Sequence, residues 1–279
     1  MPVSAPAPAK FTPVFFLAGG TGITAEALGN AILQQFPTMR FIRQKFPFID
    51  SVAEARRVVA IMNAADTERV TPLVFSTVAV DDIRAEIGRT SCAVVDLFGT
   101  HLTMIERVLH VNATRAAGSA HGVGDLHAYE ARMKAVEYAM EHDDGQSVRA
   151  IDRADVILTA PSRCGKTPTT MYLALQHGLF VANYPLVDED FDSSHLPAPI
   201  RGFGSRCFGI LSTPARLSQV RNERRPNSRY ASLEQCTFEL RRAEAMFRTH
   251  RIPSISSAAM SVEEMSAVIM QTLKLNKAH

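Results

Sequence analysis

Short, uninterrupted apolar runs alternate with helical periods along most of the chain. Residues 14–17 are followed by the turn Gly19-Gly20-Thr21-Gly22. Leu28, Ile32 and Phe36 then recur at spacing four, which predicts one buried face of a helix. Pro37 stops that helix. Residues 72–78 and 93–98 read as two further strands. Tyr129, Met133, Val136 and Met140 share a helical face that stops near Asp143-Asp144-Gly145. The apolar run 156–159 precedes a glycine-containing loop and a helix over 169–176. Residues 180–182 then form a strand closed by the turn Asn183-Tyr184-Pro185. Strands buried on both faces of a parallel sheet are apolar throughout, not in alternation. The pattern predicts an α/β fold of mostly parallel sheets covered by helices.

Residues 1–13, rich in Ala and Pro, read as a disordered tail. The polar turn at 143–146 suggests two α/β domains, 14–147 and 148–279. A chain of 279 residues can bury a core without staples. Cys92, Cys164, Cys207 and Cys236 show no metal-ligand spacing and no disulfide framework. Thirty basic against 28 acidic residues exclude a polybasic coat for nucleic acid. No apolar run approaches the ~18 residues of a membrane span, and the N-terminus lacks the apolar core of a secretory signal. A soluble, cytoplasmic protein is expected; a homodimer is compatible with the sequence.

The strongest chemical signal is Ala160-Pro161-Ser162-Arg163-Cys164-Gly165-Lys166-Thr167, set between a strand and a helix. Backbone N–H groups of such a turn and of the helix start can point at a phosphate. Lys166 adds a positive charge over the terminal phosphates, and the Thr167 hydroxyl is placed to ligate a divalent ion such as Mg²⁺. The loop departs from G-x-x-x-x-G-K-[ST] at Ala160, which keeps the N–H donors. The competing reading is a plain strand-to-helix turn with a surface lysine. Cys164 has no partner base and reads as a small loop residue.

Other signals admit two readings each. Gly19-Gly20-Thr21-Gly22 also joins a strand to a helix, as a second anion cradle or a tight turn. His121-Gly122-Val123-Gly124-Asp125 offers an imidazole and a carboxylate for acid/base work, or a helix cap beside a surface His. Asp96 and Asp188 follow strands, as Mg²⁺ ligands or turn carboxylates. Segment 201–229 holds seven arginines against the single Glu223, a local net of +6. Guanidinium forks suit phosphate and carboxylate; a solvated face is the alternative.

Ser162-Arg163-Cys164-Gly165-Lys166-Thr167-Pro168, with Ala182-Asn183-Tyr184-Pro185-Leu186 and the stretch from Arg221 to Ser232, resembles the phosphoenolpyruvate synthetase regulatory protein family. Residues 20–26, His121-Gly122 and 138–145 extend the resemblance over nearly the whole chain from Val14. Pro226-Asn227-Ser228-Arg229-Tyr230-Ala231-Ser232 looks more like the synthetase-directed branch than the pyruvate, phosphate dikinase-directed one. Many relatives carry Ser-Asp where this chain has Ala18-Gly19, so any ionic role of that Asp is missing here.

The resemblance implies a bifunctional enzyme. It would use ADP as phosphoryl donor to inactivate the synthetase on a threonine beside the catalytic phosphohistidine. It would also remove that phosphate with inorganic phosphate, releasing pyrophosphate. Carried over, residues Ala160 to Thr167 bind ADP with Lys166 on the β-phosphate, and Asp125 and His121 are candidates to deprotonate the threonine. The residues alone leave open a P-loop kinase for a small metabolite, which would need no protein partner, and a non-catalytic nucleotide sensor, which would bind ADP and transfer nothing.

Overall fold

The computed structural model describes residues 11–67, 70–115, 126–145, 147, 149–193 and 195–275, the side chains of 126–128 excepted. The chain divides into two compact units, Met1–Gly124 and Asp125–His279.

In the first unit, β1 (Phe11–Leu17), β2 (Arg40–Phe46), β3 (Leu73–Ser76) and β4 (Ala93–Asp96) form one sheet in the order β2-β1-β3-β4. Every pairing is parallel. Parallel neighbours need crossovers. The connections are α1 (Ile23–Leu33), α2 (Val52–Ala65) and α3 (Asp81–Ile87), with α4 (Gly99–Leu109) after the last strand. Ser51 starts α2 by accepting from the Glu54 N–H. Phe15, Leu17, Val58, Met62 and Val74 fill one face of the sheet; Val14, Phe16, Leu33 and Phe75 fill the other.

The helical face expected of Leu28, Ile32 and Phe36 is not the buried one. All three are exposed, and α1 buries Ala25, Gly29 and Leu33 instead. The helix lies very close to the sheet. A Cβ on Gly29 would stand 2.5 Å from a Phe16 ring carbon and 3.0 Å from Phe75. Small residues face the strands because only they fit. The expected face of α5 (Leu126–Glu141) shifts in the same way: Tyr129 and Met140 are exposed, and Ala135, Tyr138 and Ala139 are buried.

The second unit repeats the strand order. β5 (Val156–Pro161), β6 (Val181–Leu186), β7 (Cys207–Leu211) and β8 (Ser254–Ser256) run β6-β5-β7-β8, again all parallel. Here α5, α6 (Lys166–His177), α7 (Pro214–Arg224), α8 (Leu233–Thr249) and α9 (Val262–Thr272) surround the sheet. Asn183-Tyr184-Pro185 is not the expected turn, because β6 runs on to Leu186. Pro185 is tolerated since β6 is an edge strand. Among the described residues, no helix is long and apolar enough to cross a membrane.

In both units the chain leaves the first strand, pairs the second on one side, and crosses back to the third on the other. The carboxyl ends of first and third strands flank the crevice where open α/β sheets hold ligands.

Candidate phosphate-binding site

β5 is central and buried at all six positions. Ala160 and Pro161 are its last residues, paired with Pro185 and Leu186. Ala160 therefore lies in the sheet core, and the turn proper is Ser162 to Gly165. Two residues there have left-handed backbone, Arg163 at φ 71° and Gly165 at φ 100°. That conformation costs a non-glycine residue about 1–2 kcal/mol. Gly165 is the N-cap of α6 and supplies no side-chain cap. The first N–H groups of α6 are left for an outside acceptor, with the positive end of the helix dipole behind them.

Lys166 opens α6 and is only 4% exposed. Its Nζ donates to the Ala160 and Pro161 carbonyls, both at 3.1 Å. Burial pulls its ammonium below the ordinary lysine value, against the upward pull of the Asp144 and Asp143 carboxylates. A cation at the loop's root, short of partners for its charge, is a ready site for an anion. Cys164 is 1% exposed, and burial pushes its thiol up to about 12. That leaves no thiolate for nucleophilic work at neutral pH.

The Thr167 hydroxyl donates to Asp143 Oδ1 at 3.0 Å and accepts from Asn183 Nδ2 at 3.1 Å; Asn183 also donates to Asp143 at 2.6 Å. Asp143 stands in the turn Asp143–Gly145 after α5, which the Asn183 N–H holds through the His142 carbonyl. Asn183 is 1% exposed, and its Oδ1 is a buried acceptor with no partner. These oxygens suit a hard divalent cation, with Thr167 and Asp143 to hold it and phosphate or water completing the shell. Among the described residues no cluster of three or more His, Cys, Asp or Glu could hold a metal alone.

Other candidates fare differently. His121 and Asp125 lie outside the described residues. Asp96 accepts from the Phe98 and Gly99 N–H groups at the start of α4 and pairs with Arg84 at 2.5 Å. Burial works upward on its carboxyl, but the Gly99 N–H and the Arg84 guanidinium outweigh it and hold the carboxyl below the usual range. That is a capping carboxylate. Asp188 is exposed, on the wall of a cavity of about 410 Å³ shared with Asp192, Arg229 and Phe238. Gly22 caps α1 at φ 79° with no side-chain cap, and the Thr21 hydroxyl oxygen is buried without a partner.

The arginine segment is not one surface. Arg201 donates to the Leu196 carbonyl, and Arg206 to those of Asp152 and Ala154. Arg221 is wholly buried and donates to the Ser162 carbonyl of the loop. Arg216, Arg224, Arg225 and Arg229 are exposed, Arg216 donating to the neighbouring Gln219 side chain. Asp143, Asn183 and Arg221 are contacts that sequence reasoning did not assign to the site. Asp143-Asp144 read as a helix-ending turn and Asn183 as a strand-ending one, and both lay in stretches that carried the family resemblance without a role in the site.

A family model described as kinase/pyrophosphorylase matches residues 14–270. A Marinobacter nauticus protein named "Putative phosphoenolpyruvate synthase regulatory protein" is 45% identical over 94% of this chain and 97% of its own. Proteins of the same name from Pseudomonas aeruginosa and Hahella chejuensis are 43% and 44% identical, each over 92% of this chain and 94% of their own.

Proposed function

The chain belongs to the kinase/pyrophosphorylase family, and on that premise we propose that it regulates phosphoenolpyruvate synthase by reversible phosphoryl transfer to a threonine of that enzyme. ADP is the donor in one direction. The threonine oxygen attacks the β-phosphorus, the bond to the bridging oxygen breaks, AMP leaves, and the hydroxyl proton passes to a base. In the other direction an oxygen of inorganic phosphate attacks the threonyl phosphorus. The bond from phosphorus to the threonine oxygen breaks, that oxygen takes up a proton, and the pyrophosphate formed is released. Transfers of this kind depend on positioning and charge neutralisation.

The observation that carries this reading is the uncapped start of α6 at the β5/β7 crevice with the buried Lys166 amine at its root. Loop N–H groups and Lys166 would hold the ADP diphosphate. A divalent cation at Thr167 and Asp143 would supply further neutralisation of the phosphates. Asp143, beside the Thr167 hydroxyl, joins Asp125 and His121 as a candidate proton acceptor. The exposed Arg224 and Arg225 suit a partner that presents phosphate next to the acceptor.

Incubation with purified synthase, ADP and phosphoenolpyruvate, followed by mass analysis of the synthase, tests the reading. Phosphate on one threonine, made with ADP and removed with inorganic phosphate and release of pyrophosphate, is the expected result. Transfer to a dikinase alone would move the partner to that enzyme. Turnover of a small metabolite without the synthase, or ADP binding without transfer, would overturn the reading.

A further inference from the structure

Arg221 is the largest fully buried side chain of the described residues, and it is charged. It projects from α7 into the underside of the phosphate loop. Its Nε and one terminal nitrogen both donate to the Ser162 carbonyl, at 3.3 and 3.1 Å. The other terminal nitrogen donates to the Tyr230 carbonyl at 2.9 Å, and the two terminal nitrogens span Glu239 at 3.0 and 2.6 Å. One N–H on Nε and two on each terminal nitrogen are thereby all matched to acceptors, which an ammonium with three donors could not do. The guanidinium carbon also lies 4.2 Å from the Tyr230 ring centre. Tyr230 in turn reaches the same loop residue, its hydroxyl 2.9 Å from Ser162 Oγ. Arg221 and Tyr230 thus hold Ser162 at both its carbonyl and its hydroxyl.

A buried ion pair is poor evidence of stabilisation, since apolar side chains of similar volume often do as well or better. Its retention under a loop calls for a geometric reason, and the peptide plane supplies one. In a trans peptide the carbonyl oxygen and the next N–H point to opposite sides. Turning the Ser162 oxygen onto Arg221 turns the Arg163 N–H to the opposite side of that peptide, away from Arg221. Arg163 itself sits at φ 71°, a strained conformation that persists only where its surroundings over-determine it.

We infer that Arg221, with Tyr230, is a positioning residue of the phosphate loop: it sets Ser162 so that the loop N–H groups meet a nucleoside diphosphate, without touching the ligand. The inference rests on the reading of the loop as the ADP site. It also gives the stretch from Arg221 to Ser232, singled out in the sequence, a role inside the protein.

Three variants test it in the full chain. Tyr230→Phe keeps the ring and removes one hydrogen bond. Arg221→Lys keeps the charge and loses the fork. The double variant Arg221→Met with Glu239→Leu replaces the pair by apolar side chains. Thermal melting, calorimetric titration with ADP and with inorganic pyrophosphate, and amide exchange at residues 163–166 are measured on each. The double variant is expected to melt at or above wild type, while ADP affinity falls about tenfold or more and exchange in the loop speeds up. Arg221→Lys should weaken ADP similarly, and Tyr230→Phe about two- to fivefold with little change in melting. In transfer assays the variants should raise KM for ADP more than they lower kcat. A folded double variant with wild-type affinity and wild-type loop exchange would overturn the proposal. Failure of the wild type to bind ADP or pyrophosphate would instead overturn the functional reading. The clamp would then be judged on loop exchange alone, where faster exchange supports it and unchanged exchange sinks it.

Discussion

The two units share a strand order and a left-handed glycine at the start of the helix after the first strand, Gly22 in one and Gly165 in the other. They differ in what surrounds that glycine. In the second unit Lys166 is buried and tied to the strand end, Thr167 is bound to Asp143 and Asn183, and Ser162 is gripped by Arg221. In the first unit the lysine beside the turn is Lys45, from the edge strand β2, and it is paired at 2.7 Å with Glu26 of α1. Its side chain is 39% exposed. Topology supplies a helix start and a crevice twice. The chemistry comes from side chains brought to the turn from other elements, which a fold alone does not dictate.

The largest expected effect sets Lys166 against Lys45. Lys166→Ala should lower ADP-dependent transfer by about 10²–10³, the loss expected for one charge-stabilising group in a closed site. It should also destabilise the chain, because two buried carbonyls lose their donor. Lys45→Ala removes a surface ion pair worth about 0.2–1 kcal/mol and should leave transfer near wild type. Circular dichroism confirms folding, and rates with the synthase decide. Equal losses from both changes would break the comparison.

Asp143→Asn comes next. It keeps the shape of the turn but replaces an acceptor of the Thr167 and Asn183 hydrogen bonds with an amide. Transfer should fall by about 10²-fold, within the range for a missing proton acceptor, while ADP affinity moves much less. Asp125→Asn, measured in parallel, says which carboxylate carries the step. A loss of ADP affinity as large as the loss of rate would instead leave Asp143 with the cation and nucleotide alone and take it out of the proton transfer.

These contacts mark where the sequence stops being legible. β1 and β5 were readable because central parallel strands are apolar on both faces. β2 was not, since an edge strand reading Arg-Phe-Ile-Arg-Gln-Lys-Phe is mostly exposed and carries charges. Helical faces were misplaced where Gly29 and Ala135 make the close approach, because periodicity looks for large side chains. The loop was readable as a local motif. Its supports were not, because Asp143 meets Thr167 across 24 positions and Arg221 meets Ser162 across 59. An arginine inside the core runs against the ordinary expectation that charge is solvated.

A smaller effect loads the two units alike and separates them by ADP affinity. Gly29→Ala and Gly209→Ala each push a methyl to within 2.5 Å of a phenylalanine ring, Phe16 and Phe247 respectively. Overpacking of this kind costs about 1–3 kcal/mol. Gly29 lies in a helix and Gly209 in a strand, and alanine returns about 0.5–1 kcal/mol in either, so the two changes should cost alike. Denaturant titration measures both. Gly29→Ala should leave ADP affinity at wild type. A matching loss of affinity would show that the first unit contributes to the nucleotide site.

The smallest effect lies three and four residues beyond Arg221. Arg224 ends α7 and Arg225 follows it, both exposed, on the same element whose buried arginine grips the loop. Charge at a rim acts on association more than on chemistry and is screened over about 8–10 Å at ordinary ionic strength. Neutralising both to Gln should therefore slow transfer at low synthase concentration by a few fold in low salt, leaving kcat and ADP affinity as they were. The wild-type rate should fall as salt is added, and the variant should fall less steeply. The two arginines also stand at the negative end of the α7 dipole, so their loss costs stability of about 0.3–1 kcal/mol, and melting must be followed alongside. Lost ADP affinity with undiminished capture of the synthase would place these arginines at the nucleotide. The docking surface would then have to lie elsewhere, and α7 would serve the loop along its whole length.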